Sequence, residues 1–344
     1  MISTMFASDI IAPRPNAPVK HLITALGTST QQKGNSFVSK IWGNSKEPRP
    51  VIYDDYKSVY ADKQVDIVYV GTPHSLHRQN CLDAIAAGKH VLCEKPLTIN
   101  AREAKEVIDA ARAKGVALME AVWTRFFPCV QELQKHLHEH KSIGDIRRAF
   151  IEYGAALPIS SLGPESRLRD PALGAGALLD IGMYTLMYAS VIMGQNLLGT
   201  EHPVPEVISA MSITDGIDES NVNVLTYADG TRERVAVCTS TLLSRGPKEF
   251  ARIEGSEGSI TLHTAKGPSC PTSFVLKRGG EETKFAFENP PGTAGFVFEA
   301  DSFALDVLNG RLENQVMPLD ETLRMMALMD GIRDQGGLKY PQDQ

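Results

Sequence analysis

The chain has 344 residues, 42% of them hydrophobic and 22% charged, with a net charge of −6. That is ordinary globular composition, and the length allows two domains, each with its own core. An acidic balance without a Lys/Arg cluster argues against nucleic acid or an anionic membrane as the main partner. No apolar run reaches the roughly 18 residues that span a bilayer.

The opening MISTMFASDIIAPRP lacks the basic start and small-residue cleavage site of a signal peptide. Five cysteines (Cys81, Cys93, Cys129, Cys238, Cys270) are scattered without a C-x-x-C pair. Their odd number and wide spacing imply reduced thiols in an intracellular, cytoplasmic compartment.

HLITALG (21–27) is a short apolar run ending in glycine, and 31–42 carries a helical pattern. VDIVYVGTP (65–73) is a β-branched run closed by Gly-Thr-Pro, and LHRQNCLDAIAAGK (76–89) has helical spacing with a glycine stop. HVLCEKP, the helix AREAKEVIDAARAKG (101–115) and the run VALMEAVW (116–123) follow. Strands separated by helices of this length imply βαβ units and a parallel sheet.

The texture changes near Trp123–Pro128. GDIRRAFIEYG (144–154) begins a strand, and ALLDIGMYTLMYASVIMG (177–194) is apolar nearly all round, as a buried helix is. NVNVLTYADGTRERVAVCTSTL (221–242) carries Ala-Asp-Gly between two β-rich runs, a hairpin signal. ARIEGSEGSITLHT and SFVLKRGGEETKFAF add antiparallel candidates, and helical stretches near 294–308 and 320–334 close the chain. The expected organisation is an α/β domain with a parallel sheet over 1–122 and an α+β domain with an antiparallel sheet and helices on one side over 123–344.

In open parallel sheets, ligands sit outside the carboxyl ends of the strands. HVLCEKP puts Glu94 and Lys95 at one such end, and VGTP puts Gly71, Thr72 and Pro73 at another. The Lys95 ammonium can polarise a carbonyl oxygen or orient a hydroxyl losing its proton. Pro96 restricts Lys95 to extended geometry, which fixes the direction of its side chain. A solvated acid–amine pair at a strand exit is the competing reading. In PALGAGALLDIGMY (171–184), small residues precede a helix on which Asp180 and Tyr184 stand four apart, on one face. An acid and a phenol among Leu, Ile and Met are costly to bury without partners. A tyrosine that bonds the aspartate and seals a core is the alternative.

Four stretches, VGTPHSLH (70–77), AGKHVLCEKPLT (87–98), MEAVWTRFFP (119–128) and GAGALLDIGMY (174–184), together resemble the Gfo/Idh/MocA family of NAD(P)-dependent oxidoreductases. The resemblance is to the branch of dimeric dihydrodiol dehydrogenases and NADP-dependent D-xylose dehydrogenases. It implies an α/β Rossmann-like domain followed by an α+β domain with an open, mainly antiparallel sheet, and hydride transfer between nicotinamide and a carbinol carbon of a sugar, cyclic diol or related alcohol. Lys95 and Tyr184 would handle the hydroxyl proton, with Asp180 orienting or tuning them. Gly71, Thr72, Pro73, His77, Glu94, Lys95 and Pro96 would line the cofactor, and Trp123, Arg125 and Tyr184 the substrate. It also implies a homodimer through the outer face of the second sheet.

One departure matters. A Rossmann domain normally opens with a strand and a G-x-G-x-x-G turn, whereas MISTMFASDII reads as the first helix itself, with Ser3 at the third small position. The family pattern places that strand and both leading glycines immediately before Met1. Four buried aliphatic side chains in such a strand contribute about 6–12 kcal/mol, comparable to a whole domain's stability of about 5–15 kcal/mol. Two functions stay open: an NAD(P)-dependent dehydrogenase, or a nicotinamide-independent isomerase, lyase, cyclase or binding protein that needs no cofactor.

After the second family strand, GTSTQQKG (27–34) carries Gly27, Thr28 and Ser29 with Lys33 nearby and no acid. That favours NADP over NAD. HLHEH (136–140) puts only His136 and His140 on one helical face, so it reads as solvated surface and no metal is assigned. Met183 and Met187 read as core, and Cys93 as a small strand hydrophobe.

Overall fold

The computed structural model describes residues 2–43, 45–194, 204–228 and 233–344. It divides into two compact units: Met1–Leu97, Arg102–Trp123 and Asn289–Leu319 form the first, and Thr98–Ala101, Thr124–Glu288 and Asp320–Gln344 the second. The expected change of domain near residue 123 is the first long crossing. The chain then returns, so 289–319 belongs with the first unit rather than the second.

In chain order the elements begin with α1 (Ile2–Ile11), β1 (Ala25–Gly27), α2 (Gln31–Trp42), β2 (Val51–Tyr53), α3 (Tyr56–Ala61), β3 (Ile67–Val70), α4 (His74–Ala86), β4 (His90–Glu94), α5 (Ala101–Lys114) and β5 (Leu118–Ala121). Next are α6 (Pro128–Gln134), β6 (Ile146–Gly154), α7 (Met183–Met193), β7 (Glu206–Thr214), β8 (Ile217–Ala228) and β9 (Glu233–Thr241). β10 (Glu249–Gly255), β11 (Gly258–Thr264), β12 (Pro271–Arg278), β13 (Glu281–Ala286), α8 (Phe296–Leu308) and α9 (Leu319–Gly336) complete it. The Asp229 and Gly230 of the expected hairpin lie outside the described residues; the strands flanking them, β8 and β9, pair antiparallel.

The opening stretch is a helix, as its pattern implies. The parallel strands form two sheets, β1-β2 and β3-β4-β5, with no strand pairing between β1 and β3 among the described residues. The short β2 and α3 were not legible as elements. α4 stops at Gly88, whose φ of +79° only glycine adopts freely, with Lys89 N–H reaching back to Ala84 O. α5 buries Ala104, Val107, Ile108 and Ala111, three and four residues apart, and presents its charges outward.

The return of 289–319 has a local cause. Asp9, buried on α1, accepts backbone N–H groups of Ala294, Gly295 and Phe296 at 2.8–2.9 Å, which caps the start of α8. Phe6 stacks on Tyr69 at 3.7 Å between centroids and meets Phe296 edge-on, while Phe296 stacks on Trp123 at 4.1 Å.

The second unit is built on one sheet of order β13-β12-β11-β10-β6-β9-β8-β7, antiparallel except for the parallel β6–β9 pair. Register carries whole rows across it. Leu225, Ala236, Ala149, Ile253 and Ile260 form one buried row, and Cys238, Ile151, Ala251, Leu262 and Phe274 another. α7 packs over β6 and β9, where small side chains admit it: a Cβ on Gly182 would lie 2.8 Å from Ser240 Oγ. Pro171–Met193 is long and apolar enough by composition to cross a membrane, which the run-length reading passed over. In the structure 94% of its apolar window is buried, as in a core helix.

Replacing Asp9 with alanine strands three buried N–H groups at the start of α8. Urea unfolding of Asp9→Ala should show a loss of about 1–3 kcal/mol; wild-type stability would show that the cap carries no weight.

Candidate functional site

In the first unit, β3 and β4 run parallel with Val70 opposite Cys93, so Gly71–Pro73 and Glu94–Pro96 leave the sheet side by side. Val68 and Val70 of IVYV and Val91, Leu92 and Cys93 of HVLC are buried, and both runs deliver polar residues at their carboxyl ends. Glu94 is 4% exposed and Lys95 9%, so they are not a solvated pair. The Lys95–Pro96 peptide is cis. Tyr69 donates its hydroxyl to Glu94 Oε1 at 2.6 Å, and burial first, then Glu94, pushes that phenol well above its usual range.

His77 ties the two turns together. Its Nδ1 stands 2.9 Å from Pro96 O and its Nε2 2.8 Å from Thr72 O. Burial is the largest influence on the ring and lowers its pKa, and nearby Lys95 lowers it too, against the carbonyl contacts. A neutral imidazole has one N–H, so it donates to one carbonyl at a time. Asn80 Nδ2 bonds Thr72 Oγ1 at 2.9 Å, and Leu97 N–H donates to Glu120 Oε1 at 2.9 Å. Cys93 is fully buried, which pushes its thiol well up and makes it inert.

Gly71 is a cradle. A Cβ there would lie 2.6 Å from Ser3 Oγ, and Ser3 Oγ itself donates to Gly71 O at 3.1 Å. The first turn of α1 therefore meets the turn after β3, and its backbone N–H groups suit an anionic group. At the end of β1, Gly27 is pressed by Tyr56 and Val59. Thr28, half-buried, and Ser29, exposed, lie in the loop that follows; Lys33 Nζ bonds Ser29 Oγ at 3.0 Å, and Thr30 caps α2 through Lys33 N–H. A cation beside hydroxyls, with no acid from 27 to 34, fits a phosphorylated ribose. These groups fit a dinucleotide.

Glu299 on α8 was missed from sequence. It is fully buried with both carboxyl oxygens lacking partners among the described residues, and burial, then Glu94, raises its pKa well above the usual carboxylate range. Nothing in the chain's local pattern marks it, because Glu94 lies on a distant strand.

In the second unit, Leu178–Gly182 winds as a π turn that runs into α7. Asp180 sits on that turn with Arg167 Nη1 at 3.4 Å, and Tyr184 is buried in the first turn of α7. Such turns recur at functional sites because they re-aim side chains. The Tyr184 ring lies 5.8 Å from that of Tyr153, whose hydroxyl is 3.3 Å from Ser269 Oγ. Tyr153 and Arg167 were not singled out from sequence; Tyr153 ends a strand in the run EYG, the one signal that could have marked it.

Trp123 belongs to the first unit, stacked on Phe296. Arg125 belongs to the second, and its guanidinium bonds Ser190 Oγ at 3.1 Å and pairs with Glu321. Burial alone would raise the Glu321 carboxyl, but Arg125 and Arg324 outweigh it and hold it below its usual range. Arg125, for which the resemblance implied a substrate-lining role, thus stands in a buried ionic cluster within the second unit. HLHEH also differs from the solvated face expected: His136 packs on Phe274 and Phe285, and His138 Nε2 bonds Val191 O at 2.8 Å. Among the described residues no three metal-ligating side chains come together.

Comparison with known proteins gives the family. Residues 1–122 match the oxidoreductase family with an NAD-binding Rossmann fold, and residues 130–261 match the GFO/IDH/MocA C-terminal domain. A trans-1,2-dihydrobenzene-1,2-diol dehydrogenase of Danio rerio is 36% identical over 87% of this chain and 85% of its own length. A D-xylose 1-dehydrogenase (NADP(+)) of Hypocrea jecorina is 31% identical over 99% of this chain and 91% of its own. Among solved structures, levoglucosan dehydrogenase in complex with NADH and L-sorbose shares the fold with a TM-score of 0.79 at 19% identity, covering 98% of this chain and 94% of that one. With both family descriptions matched in order and relatives above 30% identity along most of its length, this chain belongs to the Gfo/Idh/MocA family of oxidoreductases.

Proposed function

We propose that this protein is an NAD(P)-dependent dehydrogenase or reductase acting on a hydroxyl-bearing carbon of a sugar, a cyclic diol or a related secondary-metabolite alcohol. The observation that carries the reading is Lys95, held almost without exposure at the carboxyl end of β4 beside the His77-braced turn of Gly71–Pro73. When bound, the nicotinamide supplies or accepts the hydride. Gly71, Thr72, Pro73, His77, Glu94 and Pro96 hold that group, with Thr28 and Ser29 at its ribose end. Lys95 and Tyr184 take or give the hydroxyl proton, and Asp180, with Arg167 Nη1 3.4 Å away, orients or tunes them. Trp123 is a substrate contact in this reading.

NADP is the preferred cofactor in this reading, supported by the Lys33–Ser29 pair and by a relative named for NADP(+).

The reading includes a homodimer through the outer face of the second unit's sheet. Val224, Val237 and Phe150 run across it in register from Ile208, which is 74% exposed, and Val222 beside them is 46% exposed. Apolar side chains on an uncovered sheet face suit a stable self-complementary contact. It also includes a cytoplasmic location, supported by five free thiols, four of them buried.

Lys95→Met and Tyr184→Phe should each lower turnover by about 10²–10⁴ with cofactor affinity little changed. Unchanged turnover in both would remove these residues from the chemistry. Val222→Arg should convert a dimer to a monomer in light scattering; a monomeric wild-type chain would contradict the dimer.

A further inference from the structure

Asp218, at the start of β8, is fully buried, yet it belongs to no ion pair among the described residues. Its Oδ2 accepts Leu178 N–H at 2.9 Å and Asn221 Nδ2 at 2.8 Å. Asn223 Nδ2 in turn bonds Asn221 Oδ1 at 2.9 Å, and Ser209 Oγ donates to Asn223 Oδ1 at 2.8 Å. The carboxylate is thus anchored in a row of polar side chains running from β8 into β7. Its other oxygen has no partner among the described residues and points at Gly176, where a Cβ would lie only 2.3 Å away. Gly176 also has φ of +135°, so both space and backbone call for glycine. From the other side Tyr340 donates its hydroxyl to Ala175 O at 2.6 Å. The turn 174–176 is gripped at both flanks.

That turn is where the helix bearing Asp180 and Tyr184 begins. We propose that Asp218 is a positioning residue: its carboxylate, locked to Leu178 N–H and Asn221, fixes the start of the helix that presents Asp180 and Tyr184. This rests on the roles given to those two residues above. A negative group at a helix start interacts favourably with the unpaired N–H groups there. A neutral cap would do so with less strain on stability. Burial pushes Asp218 up to about 6, against the bonds it accepts, so the ionised form disfavours folding as pH rises through that value. A charge kept at a cost beside a site points to a use of that charge. The titratable groups around it are Tyr340, with Arg333 and Asp343 behind, Glu219 on its own strand bonded to Thr214 of β7, and Asp180 on the helix; β9 presents Ser240 and Thr241.

The test uses the full chain carrying Asp218→Asn at pH 8, where Asp218 is ionised. The melting temperature should equal or exceed the wild-type value, and NADPH affinity should be unchanged. Turnover should fall about tenfold or more, because sub-ångström misplacement of acting groups is expensive. Asp218→Ala should fall further. Wild-type turnover in Asp218→Asn would overturn the proposal. If the wild-type chain turns over no sugar or diol with NAD(P), the catalytic reading fails, and amide exchange decides the clamp. Peptides spanning 174–186 should then exchange about tenfold faster in the variant, with the rest unchanged; equal exchange overturns it. Should the variant not fold, the wild-type chain decides: protection of 174–186, corrected for intrinsic rates, should fall from pH 8 to pH 5, and constant protection overturns it.

Discussion

The first unit depends on keeping a lysine and a glutamate nearly dry at the end of a parallel strand. Burying charged groups costs several kcal/mol unless their bonds are supplied, and three neighbouring elements supply them or hold the turn that does. Tyr69 comes from β3, Glu120 from β5 and His77 from α4. Each lies at or beside the carboxyl edge of the sheet, so the parallel register that pairs Val70 with Cys93 and Glu94 with Ala121 is what brings them together. A slip by one residue would turn Glu94 and Lys95 to the opposite faces. The apolar halves of these strands hold the register, and the register holds the polar turn.

The second unit solves a related problem with other means. Its large sheet gives one face to α7 and the π turn before it, and small residues in the central strands let that helix settle close. Two of its charged sites contrast. The cluster of Arg125, Glu321 and Arg324 satisfies itself around Ser190, while Asp180 keeps partial exposure beside Arg167. The first is a fastening of the core; the second is partly open to solvent.

Much of this was legible locally. VGTP, EKP and GAGALLDIGMY announce themselves because strand, turn and helix signals sit within a dozen residues of one another. The mainly antiparallel second sheet was legible from alternating β-rich runs, and MISTMFASDII was legible as a helix. What escaped was decided by distant partners. The three-residue β2 exists only because β1 pairs with it. Residues 289–319 rejoin the first unit because Asp9 caps α8 and Phe296 stacks on Trp123, and no nearby residue hints at either. Glu299 beside Glu94, Arg125 against Glu321, and Tyr153 beside Tyr184 are likewise pairings across long stretches of chain. The histidines of HLHEH misled for the same reason, since helical spacing cannot reveal that Phe274 and Phe285 cover one face.

The central claim is that this chain is a nicotinamide enzyme, and fluorescence titration of the purified 344-residue protein with NADPH and NADH addresses it directly. The account predicts saturable binding of both, with NADPH the tighter. A folded protein that gives no saturable signal with either, up to millimolar concentrations, would contradict it.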